Sequence, residues 1–143
     1  MLDLGRGGDP LALNFADQAG IVSFVSPDIR AVRTCQREID RHGTKNINAI
    51  LDEALQEVPG RPFDVAVYEP VKWVAKGWVF KQIDETFQML RVGGRFCISG
   101  RKDRGVESYK GRLEAVFGNV DLVSKKGGNR CYRSVKKNDL PGA

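Results

Sequence analysis

Apolar residues along this chain follow two alternating rhythms. Short apolar runs at Met1–Leu4, Ile21–Val25, Asn46–Leu51 and Phe63–Tyr68 are bounded by glycine, proline and charged residues and read as buried strands. Between them the period lengthens. Ala31, Cys35 and Ile39 recur every four residues with Val32 alongside, which predicts a helix over Asp28–His42, capped by Asp28 and closed by Gly43. Val79, Ile83, Phe87 and Leu90 predict a helix over Trp78–Leu90; Val106, Tyr109, Leu113 and Val116 predict one over Val106–Phe117. Pro10–Ala19 reads as a further helix, with Asp9 as its N-cap and Pro10 in its first position. A short helical turn runs to Val58, and the turn Val92-Gly93-Gly94 leads into a strand over Arg95–Ser99. Two last strands, Asn119–Ser124 and Arg130–Val135, are separated only by the turn "KKGGN".

Strands followed by helices, repeated along the chain, predict an α/β fold: a doubly wound, seven-stranded, mostly parallel sheet with helices on both faces. A tight turn cannot join parallel neighbours, so the last strand is expected to run antiparallel. A length of 143 residues suits one domain over 1–143.

Composition narrows the function classes. With 41% hydrophobic and 29% charged residues the chain has the profile of a soluble globule. No apolar run approaches the roughly 20 residues of a membrane span, and no basic segment precedes an apolar block at the N-terminus. A cytoplasmic protein without a membrane partner is expected. Cys35, Cys97 and Cys131 form no C-x-x-C pair and His42 is the only histidine, so no metal site is expected and the cysteines read as reduced core residues. His42, in a last helical turn, suits the helix dipole. The net charge is +5, and its distribution says more than its size. Arg6, Lys72, Lys76, Arg101, Lys102, Arg104, Lys125, Lys126 and Arg130 all fall in loops at the carboxyl edge of the expected sheet. Basic loops from separate segments meeting on one edge suit a phosphate backbone, with Lys72, Arg101, Lys102, Arg104, Lys125 and Lys126 as candidate RNA contacts.

The candidate chemistry begins at "LDLGRGGDPLAL", residues 2–13. A strand, a glycine turn and a helix start place Gly5, Gly7 and Gly8 at the carboxyl edge, where glycine lets backbone amides approach a ligand. Pro10 stands where a dinucleotide fingerprint has its last glycine, and no Gly-Lys-Ser/Thr phosphate loop is present, so nicotinamide and triphosphate sites are poor fits.

These residues, with "FVSPDIRAVRTCQREIDRHG", "AILDEALQEV", "RPFDVAVYEP" and "MLRVGGRFCISG", resemble the class I S-adenosylmethionine-dependent methyltransferases over nearly the whole chain. The tail "SYKGRLEAVFGNVDLVSKKGGNRCYRSVK" is similar to the small-domain branch that methylates guanine N2 in ribosomal RNA, through the pairing of "FGNV" with a late "GGNRCYR" strand. The resemblance implies S-adenosyl-L-methionine as cofactor, held by Asp3, Gly5, Gly7, Ser26, Asp28, Glu53 and Tyr68, and RNA as partner. It implies transfer of a methyl group to a base amine, with Glu69 accepting the amine hydrogens and Pro70 following it.

The departures from the family pattern are local. Asp9 replaces a loop glycine and Ser26 stands where an acidic residue binds the ribose hydroxyls. Glu69-Pro70-Val71-Lys72 stands where Asn-Pro-Pro-Phe is usual, and, the sequence opening on the first strand, the family's N-terminal extension is expected to be missing. Two classes of function follow from the same residues: a methyltransferase, or a catalytically weak or inactive methyltransferase-like module that binds RNA or protein.

Overall fold

The computed structural model describes residues 2–4, 22–26, 29–43, 45–51, 62–70, 75–101 and 105–142. Its strands are β1 (Leu2–Leu4), β2 (Val22–Ser26), β3 (Ile47–Leu51), β4 (Phe63–Tyr68), β5 (Leu90–Arg101), β6 (Asp121–Lys126) and β7 (Asn129–Val135). Its described helices are α1 (Ile29–His42), α2 (Lys76–Met89) and α3 (Val106–Phe117). The strands lie side by side in the order β3-β2-β1-β4-β5-β7-β6. Every pairing from β3 to β5 is parallel, and β7 runs antiparallel to both β5 and β6. The sheet is mixed, as the short turn before β7 requires. The helices expected at 10–19 and before Val58 lie outside the described residues.

Alternation along β2 divides the core in two. Phe24 faces α1 with Ala31, Cys35, Ile39 and Ile47. Its neighbour Val25 belongs to the larger cluster on the opposite face, where α2 and α3 bring Val79, Ile83, Phe87, Leu113 and Phe117 onto Ala66, Phe96, Ile98 and Tyr132. Helices therefore cover both faces. Phe87 meets Phe117 edge to face at 5.1 Å between centroids, and Asp84 of α2 takes a forked contact from the Arg112 guanidinium of α3.

Several boundaries differ from the periodicity. The helix expected over Trp78–Leu90 spans Lys76–Met89, and Leu90 already opens β5. The strand expected over Arg95–Ser99 is a longer one interrupted by a bulge: Phe63 pairs with Leu90 but Val65 with Arg95. Gly93 takes φ +90° in that bulge, and a Cβ on Gly94 would lie 2.8 Å from the Arg91 carbonyl oxygen. Glycine at 94 is a packing requirement. The bulge is tied to the far end of β7, where Gly93 N–H donates to the Lys136 carbonyl and Lys136 N–H to the Gly94 carbonyl.

That junction contains a buried charge. The Lys136 ammonium, 4% exposed, donates to the carbonyls of Phe87 and Leu90 at 2.8 Å each and lies 4.6 Å from the centre of the Phe87 ring. It satisfies the acceptors left over where α2 ends and suits the negative pole of the helix. Asn119 does similar work at the other helix end. Gly118 closes α3 at φ 78°. The Asn119 carboxamide then donates to the carbonyls of Phe117 and Val135 and accepts from Val135 N–H, while Ser134 Oγ donates to the Asn119 carbonyl. The expected strand over Asn119–Ser124 accordingly starts at Asp121.

Candidate functional site at the carboxyl edge

Strand register builds the site. Leu4 is level with Val25 of β2 on one side and Tyr68 of β4 on the other, and Tyr68 is level with Ile98 of β5. The chain proceeds outward from β1 to β2 and β3, then returns to place β4 on the opposite side of β1. Such a reversal opens a crevice beyond the carboxyl ends of the two central strands, the place where open α/β sheets bind ligands.

Glu69 and Pro70 leave β4 at this point, both half-buried. The backbones of Asp3 and Ser26 occupy the neighbouring carboxyl ends of β1 and β2, with Asp3 level with Phe24 and Ser26 level with Leu51. Gly5, Gly7, Asp28, Glu53, Lys72, Lys102 and Arg104 lie outside the described residues. Tyr68 behaves differently from a surface ligand residue: it is 7% exposed and belongs to the core cluster that includes Tyr109 of α3. Burial, followed by the neighbouring Tyr109, pushes its phenol above the ordinary range.

β5 continues past Ile98 to Arg101, roughly 10 Å at about 3.3 Å per residue. Arg101 pairs with Asn129, and Asn129 with Lys126, so the β6–β7 hairpin carries Lys125 and Lys126 to the same edge as Glu69. Both lysines and Arg101 are exposed. Arg130 is committed to the turn itself, donating through Nη1 to the carbonyls of Gly127 and Asn129 at 2.7 and 2.9 Å. Tyr132, one strand behind the edge, donates its hydroxyl to Glu107 Oε1 at 2.8 Å, which joins β7 to the first turn of α3. The described edge is thus a half-buried carboxylate beside an extended basic wall.

Residues 1–133 match the methyltransferase small domain family. The chain belongs to that family. It is a methyltransferase of the class I, S-adenosylmethionine-dependent type. Among curated proteins it is similar to YbxB, an uncharacterized protein of Bacillus subtilis strain 168, with 23% identity over 139 residues, 95% of this chain and 69% of that one. Its fold is shared with the 16S rRNA N2 G1207 methyltransferase RsmC of T. thermophilus, solved with AdoMet and guanosine (TM-score 0.74, 21% identity, 98% of this chain). This methyltransferase domain spans only 35% of that enzyme. An rRNA methylase from Streptococcus thermophilus aligns at TM-score 0.73 and 22% identity over 96% of this chain and 86% of its own. A methyltransferase from Pyrococcus furiosus aligns at TM-score 0.76 and 20% identity over 96% and 74%.

One part of the tail read as family-specific has a structural role in this methyltransferase domain. Asn119 of "FGNV" stitches α3 to the end of β7 and stands away from the carboxyl edge. A feature absent from the sequence reading is the diagonal placement of Cys97 and Cys131 on one sheet face. Cys35 is buried as expected of a core residue, whereas the other two thiols are half-buried. Period-two spacing placed each on a strand face; only the antiparallel register places them together.

Proposed function

We propose that this methyltransferase uses S-adenosyl-L-methionine to methylate a base amine in RNA, with ribosomal RNA as the substrate class. The observation that carries this is the placement of Glu69-Pro70 at the switch point, beneath a wall bearing Arg101, Lys125 and Lys126. The rRNA methylases that share the fold support the substrate class. The fold we propose with it is a doubly wound sheet with helices on both faces, in one domain.

The described residues fit the cofactor in two respects: the ends of β1, β2 and β4 lie abreast at the reversal, and a carboxylate stands where a cationic sulfonium would be drawn. When bound, the cofactor supplies an electrophilic methyl group. We assign Asp3, Gly5, Gly7, Ser26, Asp28 and Glu53 to holding it, while Tyr68, expected among them, is packed in the core. A base amine is a poor nucleophile because its lone pair is delocalised into the ring. Glu69 overcomes this by accepting an amine hydrogen as positive charge develops on nitrogen, and takes the proton afterwards. Pro70 fixes the backbone that leaves β4, so the carboxylate is held against the crevice. Lys72, Arg101, Lys102, Arg104, Lys125 and Lys126 bind phosphates and set the strand across the edge.

Single-turnover methyl transfer to ribosomal RNA tests this with wild type, Glu69→Gln and Glu69→Ala. The expected result is a rate about 10²–10⁴ lower in Glu69→Ala, with Glu69→Gln between it and wild type and RNA affinity little changed. Full activity in Glu69→Ala removes Glu69 from the mechanism. Absence of S-adenosylmethionine binding at millimolar concentration favours the binding-module alternative.

A further inference from the structure

Helix α1 has two faces of opposite character. Ala31, Val32, Cys35 and Ile39 gather on its buried side, where Phe24 of β2 and Ile47 of β3 pack against it. Arg30, Arg33, Arg37 and Arg41 fall within about 80° of arc on the opposite side, at about 100° per residue, and all four are exposed. Thr34 is the only other residue of α1 in that arc. A helix surface that is merely solvated carries both signs of charge in alternation. This arc carries one sign, and in one chemical form, since α1 contains no lysine. The planar guanidinium matches phosphate oxygens two at a time, which an ammonium does not.

Helix stability does not account for the row. Arg30 stands in the first turn, where a cation opposes the positive pole of the helix, and no acidic residue shares that turn. The two carboxylates of α1 are engaged elsewhere. Glu38 lies 3.8 Å from Arg41 and 3.4 Å from His42 Nε2, and Asp40 accepts from Gln36 Nε2 at 3.0 Å. Among the described residues no carboxylate pairs with Arg33 or Arg37. Arg37 Nη2 instead reaches back to Thr34 Oγ1 at 3.5 Å, and that hydroxyl donates to the Arg30 carbonyl, which keeps the guanidinium along the row.

The row also has a direction. α1 begins three positions after Ser26 closes β2, a reach of at most about 11 Å, so Arg30 starts at the carboxyl edge. The helix then runs about 21 Å toward the amino edge, where β3 begins at Ile47. Arg30 to Arg37 take up about 10 Å of that rise. In the sheet, β4 with Glu69 at its end lies between β2 and β5. Arg101, Lys125 and Lys126 therefore stand on one side of Glu69, and the arginines of α1 on the other.

We infer that the outer face of α1, at Arg30, Arg33 and Arg37, is a second docking surface for the RNA backbone, holding the strand on the side of Glu69 away from the β6–β7 hairpin. The inference rests on the reading of the carboxyl edge as an RNA site. Arg33 and Arg37 stand about 6 Å apart, close enough to grip neighbouring phosphates of one strand. Contacts to phosphate fix register and orientation and leave the choice of base to the crevice. One flank of the target nucleotide crosses the hairpin, and the other runs down α1. Arg41 ends the row at the amino edge, farthest from the crevice and against Glu38, and contributes little.

Anisotropy titrations of labelled ribosomal RNA fragments across a salt series compare wild type with Arg33→Gln/Arg37→Gln and with Arg33→Glu/Arg37→Glu. Glutamine matches arginine in helix propensity, so the first variant keeps the fold, as circular dichroism checks. The expected result for the glutamine pair is an affinity about tenfold lower at ~0.15 M salt and a log–log slope flatter by about 1.4, the counterion release of two single-strand contacts; the glutamate pair loses more. Lys125→Glu/Lys126→Glu is titrated beside them. An effect of the hairpin pair with none from the α1 pairs overturns this proposal and leaves the RNA reading standing, whereas no effect from any pair overturns both. Loss of poly-glutamate binding in the α1 pairs, with RNA affinity intact, assigns the arc to an acidic protein and overturns the proposal. Phenylglyoxal labelling of the wild type, read by peptide mass, needs no variant. Bound RNA is expected to slow modification of Arg33 and Arg37 more than that of Arg41; equal rates at Arg33 and Arg37 with and without RNA overturn the proposal.

Discussion

Single residues decide how the ends of these helices are closed. The Lys136 ammonium is the clearest case, because it is buried, charged and bound to two backbone carbonyls at the end of α2. Its carboxylate partner among the described residues, Asp139, is largely in solvent at 3.5 Å, so the carbonyls carry the interaction. Lys136→Met keeps the aliphatic stem and leaves both carbonyls without a donor. Urea unfolding of that variant should show a loss of about 2–4 kcal/mol, as expected for buried acceptors stripped of a charged donor. Lys137→Met, one residue on and exposed, should stay within about 0.5 kcal/mol of wild type. Equal losses in the two variants would place the effect in net charge rather than in the helix end. Two adjacent lysines of identical chemistry thus have different consequences.

At the scale of elements, the β6–β7 hairpin links stability to function. Its inner end is anchored by Asn119, which exchanges two hydrogen bonds with the backbone of Val135. Asn119→Ala removes both and should cost about 1–3 kcal/mol, measured by denaturation, while the helical signal of the folded state stays unchanged. Its outer end presents Lys125 and Lys126 on a strand whose six residues are all exposed. Reversing both to glutamate leaves the folded core untouched. RNA affinity should fall, and the slope of log affinity against log salt should flatten by about 1.4 for single-stranded RNA, two phosphate contacts being lost. The same reversal at Arg41 and Lys45, on the surface at the end of α1 and before β3, should change that slope little. Equal flattening from both pairs would indicate general attraction to a basic protein.

For the whole molecule, the distribution of tyrosines predicts its response to alkali. All three, Tyr68, Tyr109 and Tyr132, have phenols held above their ordinary value, in each case chiefly by burial. Tyr109 adds to the effect at Tyr68, and the hydrogen bond to Glu107 adds to it at Tyr132. The folded state therefore keeps protons that the unfolded chain gives up near pH 10. Stability from these groups is complete below that pH and declines as pH rises through it. Ultraviolet difference absorption should show no tyrosinate between pH 10 and the onset of unfolding, and should then show all three appear together with loss of the helical signal. Stepwise ionisation of one tyrosine at its ordinary pH, with the fold intact, would contradict the burial of that ring.

The sequence by itself determined the α/β class, the mixed sheet with a reversed last strand, and the positions of α1, α2 and α3 to within two residues. These are local properties: periods of two and four residues and a turn too short for a parallel crossover leave few alternatives. The family resemblance was equally legible, because it rests on short motifs read in order. Tertiary structure decided what those motifs do. Chain order could not show that Asn119 closes a helix against β7 rather than facing the site, that Lys136 is buried while Lys137 is not, or that Tyr68 packs into the core. Nor could it place Cys97 diagonal to Cys131, separated by 33 intervening residues and related only by register. A pattern of apolar positions specifies which face a side chain takes. Which partner it meets depends on how strands slide past one another, and that is settled by bulges, caps and buried hydrogen bonds formed only when the chain has closed.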